Sequence, residues 1–348
     1  MNERSLQIAI LSHDSELNTI LINTLHQNSP HRVSWVSDSI KSTLRHAAGH
    51  RPDILLLVVS GESQQPLCEQ VKQLLSHQLR SILLITTCMT RKSAAVLEAL
   101  GAGALDAFNI TCDTSKYKIE TRELLRKIQY LQRLQKHPLP PPRVSTAPVP
   151  TLTDCLVVIG CSTGGPAALA QLLPLLPADF PAATLIAQHI DVAFVDNLVN
   201  WLNTQSALDV TVATPGERPA PGKVLVAATH DHLLLRADGA LDYTADPRNL
   251  FYRPSVDILF NSVAKNWPGR IIGILLTGMG QDGAAGLLQI RQRSMLTIAQ
   301  DQDSCVVFGM PKAAIQLGAA EKILNIEQIG ELLLTSVRSP LQTISQKK

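Results

Sequence analysis

No apolar run in this sequence approaches the roughly 20 residues needed to span a bilayer. Its longest candidates, Ile54 to Val59 and Ile271 to Leu276, have strand length. The opening MNERSLQIAILSHDSEL lacks both a long apolar stretch and a small-residue cleavage site, so no secretory signal and no membrane insertion are expected. Charge of either sign is also missing in bulk. A formal net charge of +2 with scattered basic residues argues against nucleic acid or an anionic membrane surface as partner. The six cysteines (Cys68, Cys88, Cys112, Cys155, Cys161 and Cys305) show no CxxC and no Cys/His ligand spacing. They read as reduced thiols in a cytoplasmic protein, and neither a metal nor a cofactor is expected.

What is present is apolar and divided. Of 348 residues, 45% are hydrophobic and only 17% charged, enough to bury sizeable cores. A Pro-rich stretch, residues 134–152, breaks the apolar periodicity and reads as a semi-extended linker. It separates a domain at residues 1–133 from one at residues 153–340. In the first, apolar strand patterns at Gln7 to Leu11, Arg32 to Val36, Ile54 to Val59 and Ser81 to Thr86 alternate with helical ones. A short strand at Ala107 to Ile110 follows, and one long helix, Ser115 to Gln135, is expected to close the domain. The second domain alternates in the same way, with a hairpin formed by His232 to Arg236 and Leu241 to Thr244 around Asp238-Gly239. The fold class is therefore α/β: two doubly wound domains, the first flavodoxin-like, the second a parallel sheet with an antiparallel hairpin.

One segment carries more chemistry than the rest. In Val157-Val158-Ile159-Gly160-Cys161-Ser162-Thr163-Gly164-Gly165-Pro166 a buried-strand pattern turns directly into a helical one. A serine on such a bend sits at the carboxyl edge of a sheet, beside the free N–H groups of a helix start. His189 ends the next apolar strand, and Asp282 sits in the Gly-rich loop after Ile271 to Leu276. Hydroxyl, imidazole and carboxylate thus fall at the ends of three strands, the set that acyl transfer at serine requires. Taken singly, each has a plainer use. Ser162 could cap a helix, or the glycines around it cradle a phosphate; His189 could be a core-edge histidine; Asp282 could cap the helix at Gly283. The G-x-S-x-G elbow, the Walker lysine and the G-x-G-x-x-G fingerprint are all absent. Cys161, next to Ser162, reads as a packed small residue rather than a nucleophile.

IGCSTGGP, the Gln188-His189 pair, Tyr252-Arg253-Pro254-Ser255-Val256-Asp257, LLTGMGQDGAAGL and AQDQDSCVVFGMPKAA, in this order, resemble the chemotaxis-type protein-glutamate methylesterases of the CheB family. The resemblance runs from about Asp154 to about Gly330. It implies hydrolysis of γ-glutamyl methyl esters on the cytoplasmic helices of methylated chemoreceptors, with release of methanol, and deamidation of receptor glutamines. It further implies Ser162 as nucleophile, His189 as general base and acid, and Asp282 as the carboxylate that orients it. Thr163 and Met279 fall at the oxyanion positions, Met279 through its backbone N–H, and Gly164 lets the backbone approach the substrate. Tyr252 departs from the family, which often has histidine there; the departure bears on receptor docking or substrate choice more than on chemistry.

The same resemblance implies that the first domain is a response-regulator receiver. Such a domain needs paired carboxylates for Mg²⁺, an aspartate ending the third strand, a hydroxyl ending the fourth and a lysine after the fifth. Here Asp14 is the one carboxylate retained after the first strand, Val58 occupies the phosphoacceptor position, Thr87 supplies the hydroxyl and Ile110 stands in for lysine. The expectation is a pseudo-receiver that works through protein contacts, with a chemosensory histidine kinase among its partners. The competing placement makes Asp53 or Glu62 the acceptor. Two other readings of the whole chain stay open: a non-catalytic scaffold binding receptor or kinase, and a nucleotide-binding protein using Gly160 to Gly165.

Overall fold

The structure, a computed structural model, describes residues 5–59, 65–79, 81–87, 93–113, 116–134, 155–248, 250 and 252–337. The chain separates into two compact units, Met1–Leu139 and Pro140–Lys348. The Pro-rich linker (from 135 on), Cys88 and Glu62 lie outside the described residues. Among the described residues no helix is long and apolar enough to cross a membrane, and no cluster of three or more His, Cys, Asp or Glu could hold a metal.

The first unit runs β1 (Gln7–Leu11), α1 (Ser15–Asn28), β2 (Arg32–Ser37), α2 (Ile40–Gly49), β3 (Ile54–Val59), α3 (Leu67–Ser76), β4 (Ile82–Thr86), α4 (Ser93–Gly101) and β5 (Asp106–Asn109). The strands pair in parallel in the order β2-β1-β3-β4-β5. Strand β3, Ile-Leu-Leu-Leu-Val-Val, is buried along its whole length, as a central strand covered by helices on both faces must be. After β5 the structure differs from the expected long helix. An antiparallel hairpin, β6 (Thr111–Asp113) and β7 (Lys116–Lys118), precedes a shorter α5 (Thr121–Leu134). Tyr117 and Ile119 pack against the core of this unit, and that tertiary contact draws the segment into extended backbone.

The second unit begins with β8 (Cys155–Cys161), α6 (Gly165–Leu172), β9 (Ala183–Gln188), α7 (Val195–Gln205), β10 (Asp209–Val212) and β11 (Lys223–Val226). The hairpin β12 (His232–Leu235) and β13 (Leu241–Thr244) leads into α8 (Val256–Asn266) and β14 (Arg270–Leu275). The chain then continues through α9 (Ala284–Gln292), β15 (Leu296–Gln300), α10 (Met310–Gln316), β16 (Lys322–Leu324) and α11 (Ile326–Ser336). All seven sheet strands are parallel, in the order β10-β11-β9-β8-β14-β15-β16. From the central β8 the chain first winds outward through β9 and then crosses back to β14 on the other side. The sheet therefore reverses direction at β8, where a crevice opens at the carboxyl ends of β9, β8 and β14.

Candidate active site

Ser162 follows β8, His189 follows β9, and Asp282 lies in the loop from β14 to α9, so all three stand at that reversal. The turns that carry Ser162 and His189 are tied to each other and to the end of β14. His189 N donates to the Cys161 carbonyl (3.0 Å), and Ser162 N donates to the Thr277 carbonyl (3.0 Å). The buried Gln188 amide donates to both the Ser162 and His189 carbonyls, each at 2.9 Å.

The glycines next to Ser162 answer two steric demands. Gly164 has φ +80°, the left-handed region, and a methyl group there would lie 2.5 Å from Val306 Cβ. At Gly278 a methyl group would come within 2.8 Å of Ser162 Cβ, so glycine is what lets the two loops meet. The Gly278 carbonyl accepts from Gly309 N (3.1 Å) and Met310 N (2.9 Å) at the start of α10. Because a trans peptide holds its N–H opposite its carbonyl, these two bonds also fix where the Met279 N–H points. Thr277, fully buried, ties in the neighbouring loops: its hydroxyl donates to the Thr163 carbonyl (2.9 Å) and accepts from Val307 N (2.8 Å).

His189 and Asp282 form a buried pair, with side chains 6% and 11% exposed, in which His189 Nε2 donates to Asp282 Oδ2 at 2.8 Å. The other ring nitrogen, Nδ1, is buried and has no hydrogen-bond partner among the described residues. Tyr252 lies flat on the imidazole, ring centroids 4.2 Å apart and planes parallel.

Asp282 is held by the start of α8 rather than by its own helix. Its Oδ1 accepts from Ser255 Oγ (2.9 Å) and Asp257 N (3.0 Å), and its Oδ2 accepts from Val256 N (2.7 Å). Asp257 returns the arrangement, accepting from Gly286 N in the first turn of α9 at 2.6 Å. The start of each helix is thus met by a carboxylate: α8 by Asp282 from the loop before α9, and α9 by Asp257 of α8. The plainer use of Asp282, as a cap for the helix at Gly283, is not what the structure has: Gly283 itself is the N-cap, and the Asp282 side chain turns to α8. Burial works to raise the Asp282 pKa, but the His189 hydrogen bond and charge and the N–H groups of Asp257 and Val256 outweigh it and hold the pKa below the usual carboxylate range. Asp257 goes the other way: burial, with the Asp282 charge added, pushes it up to about 6 against the pull of the Gly286 N–H. Two neighbouring carboxylates driven apart in this way mark a site that keeps one of them ionised.

Cys161 is fully buried within β8, and burial pushes its thiol pKa up, away from nucleophilic character. Sequence reasoning passed over the partners of Asp282 and the Tyr252 stack. A serine followed two residues later by an aspartate marks the N-terminus of α8, but nothing local announces that a carboxylate 25 residues downstream will sit on it.

In the first unit, Val58 is buried in β3 and Ile110 is buried just beyond β5. Asp14 caps α1, its Oδ1 accepting from Leu17 N at 2.9 Å, and its Oδ2 accepts from the Tyr117 hydroxyl of the β6–β7 hairpin. Thr86 ends β4, and its hydroxyl donates to Asn109 Oδ1 (3.2 Å); Thr87 follows, half-buried. Lys127 of α5 pairs with Asp106 at 2.7 Å. Asp53 stands at the entry to β3 and accepts from Gln7 N (2.8 Å), on the edge opposite to the strand's carboxyl end.

Residues 157–333 match the model of the CheB methylesterase family. A protein-glutamate methylesterase/protein-glutamine glutaminase of Cupriavidus metallidurans is 40% identical over 342 residues, covering 96% of this chain and 96% of that one. This chain belongs to the CheB methylesterase family. A relative of the same description in Cupriavidus pinatubonensis is 42% identical, covering 88% of this chain and 92% of its own. Among solved structures, the catalytic domain of the Thermotoga maritima CheB methylesterase is 37% identical with TM-score 0.50, covering 53% of this chain and 98% of that domain.

Proposed function

We propose that the chain is a carboxylic ester hydrolase that removes γ-glutamyl methyl esters from methylated chemoreceptors in the cytoplasm, with Ser162, His189 and Asp282 as its catalytic residues. The observation that carries the proposal is the buried His189–Asp282 pair beside the Ser162 turn. With Nε2–H donated to an ionised Asp282, the neutral imidazole keeps its lone pair on Nδ1, the nitrogen that has no other partner. Nδ1 takes the proton as Ser162 Oγ attacks the ester carbon. The Met279 N–H, with the backbone at Thr163, stabilises the oxyanion. Collapse breaks the C–O bond to methoxide, which leaves as methanol with the proton from His189. Water, deprotonated by His189, then cleaves the glutamyl–serine ester, releasing the γ-carboxylate and restoring the Ser162 hydroxyl. The same cycle on a glutamine side chain releases ammonia instead of methanol, and the relatives' names include that activity.

The first unit we read as a pseudo-receiver. Valine has no oxygen to form an acyl phosphate, and Asp14, the carboxylate retained after β1, is engaged by Leu17 N and Tyr117. Its partners are reached through protein contacts, a chemosensory histidine kinase being one. Methanol release from methylated receptor by the full chain tests the hydrolase reading. A chain that binds receptor yet liberates no methanol is the scaffold, and the proposal fails.

A further inference from the structure

The segment between the β12–β13 hairpin and α8 grips the His189–Asp282 pair from two sides. Ser255, Val256 and Asp257 hold the carboxylate, while Tyr252, three residues earlier, covers one face of the imidazole. The side chain's own Cβ–Cγ bond and the hydrogen bond at Nε2 lie nearly on one axis, and by themselves leave the ring free to turn about it. A parallel ring 4.2 Å away removes that freedom and thereby sets the direction of Nδ1. The tyrosine hydroxyl lies apart from this contact, over the Met279–Gly280 loop: a methyl group at Gly280 would be 3.4 Å from it.

We infer that Tyr252 is a positioning residue for His189, acting through its ring face rather than its hydroxyl. Resting on the hydrolase reading above, the inference gives Tyr252 two effects. It holds Nδ1 toward the nucleophile before reaction, and its electron-rich face stabilises the imidazolium that exists only while the proton is in transit. An interaction made only in the transition state appears in kcat rather than KM. This moves Tyr252 from docking or substrate choice, as the sequence alone suggests, into the support of the base.

The test compares the full-length wild type with Tyr252→Phe and Tyr252→Leu, measuring methanol release from methylated receptor. The phenylalanine variant keeps the face and is expected to retain kcat within about twofold, while the leucine variant loses about 2- to 30-fold in kcat with little change in KM. Three results overturn the inference: a leucine variant with unchanged kcat, a phenylalanine variant as impaired as the leucine one, or a rise in KM alone, which is the signature of docking. Should the leucine variant fold poorly, the wild type still decides. The ring current of Tyr252 shifts the His189 Hε1 proton upfield, and the phenylalanine variant preserves that shift. A resonance at an ordinary position means that the rings are not stacked, and the inference falls. A wild type that releases no methanol sinks the hydrolase reading itself, before any variant is compared.

Discussion

Replacing Asp282 by asparagine changes one atom and tests the whole arrangement around the site. The carboxylate accepts from four donors: Ser255 Oγ and Asp257 N at Oδ1, Val256 N and His189 Nε2 at Oδ2. An amide cannot serve all of them. With its NH₂ at the Oδ2 position it confronts Val256 N–H and His189 N–H; turned over, it confronts Asp257 N–H. In either orientation a backbone donor of α8 loses its acceptor, at about 1–3 kcal/mol, and the helix loses a negative charge at its N-terminus, worth about 0.3–1 kcal/mol. Together these come to about 2–4 kcal/mol of local stability, so the Val256 and Asp257 amides of Asp282→Asn are expected to exchange with solvent about 30- to 1,000-fold faster. Hydrogen exchange on the full chain reads this directly. The same substitution removes the acceptor that keeps the proton on His189 Nε2, so kcat for methanol release is expected to fall by about 10³–10⁴. Unchanged protection of Val256 and Asp257 with kcat within a few-fold of wild type would refute the reasoning.

Two other expectations follow from the carboxylates and the first unit. Asp257 has its pKa raised from 3.8 to about 6, so the folded chain holds this proton more tightly than the unfolded chain. Its contribution to stability is complete below pH 3.8 and is lost as pH rises through 6. Asp257→Asn, which keeps an acceptor for Gly286 N, is therefore expected to gain stability over wild type at pH 8, by up to about 3 kcal/mol, and to lose that advantage near pH 4. Urea unfolding at the two pH values checks this, and an equal offset at both contradicts it. On the pseudo-receiver reading, in which Val58 stands at the acceptor position, incubation of the full chain with a small-molecule phosphodonor and Mg²⁺ is expected to leave its intact mass unchanged; an acid-stable, base-labile phosphoryl group on the protein would overturn that reading.

Much of the architecture is written in local pattern. Short uninterrupted runs rich in β-branched residues, such as Ile54 to Val59 and Cys155 to Ile159, read as central strands and are found as such, and the chemistry-bearing residues fall where those strands end. Long-range contacts were not legible. Nothing near Tyr117 signals that it will reach Asp14, 103 residues earlier, and turn an expected helix into a hairpin. The meeting of carboxylates with the starts of α8 and α9 is equally silent, because Ser255 reads as an ordinary N-cap until Asp282 arrives from another loop. Strand β16 carries little local signal, because Lys322–Leu324 is only three residues long, too short for a periodicity to register. Tyr252 stood out in the sequence as a departure, and its meaning came only from the ring on which it lies.

The central claim is that Ser162 carries the ester cleavage. The rate of methanol release from methylated receptor, measured for the full chain and for Ser162→Ala, tests it most directly. The residue is 6% exposed, and serine to alanine removes a single oxygen from a small side chain, so the variant is expected to remain folded and to release methanol at least about 10³-fold more slowly. A folded Ser162→Ala chain that releases methanol within tenfold of the wild-type rate would contradict the account.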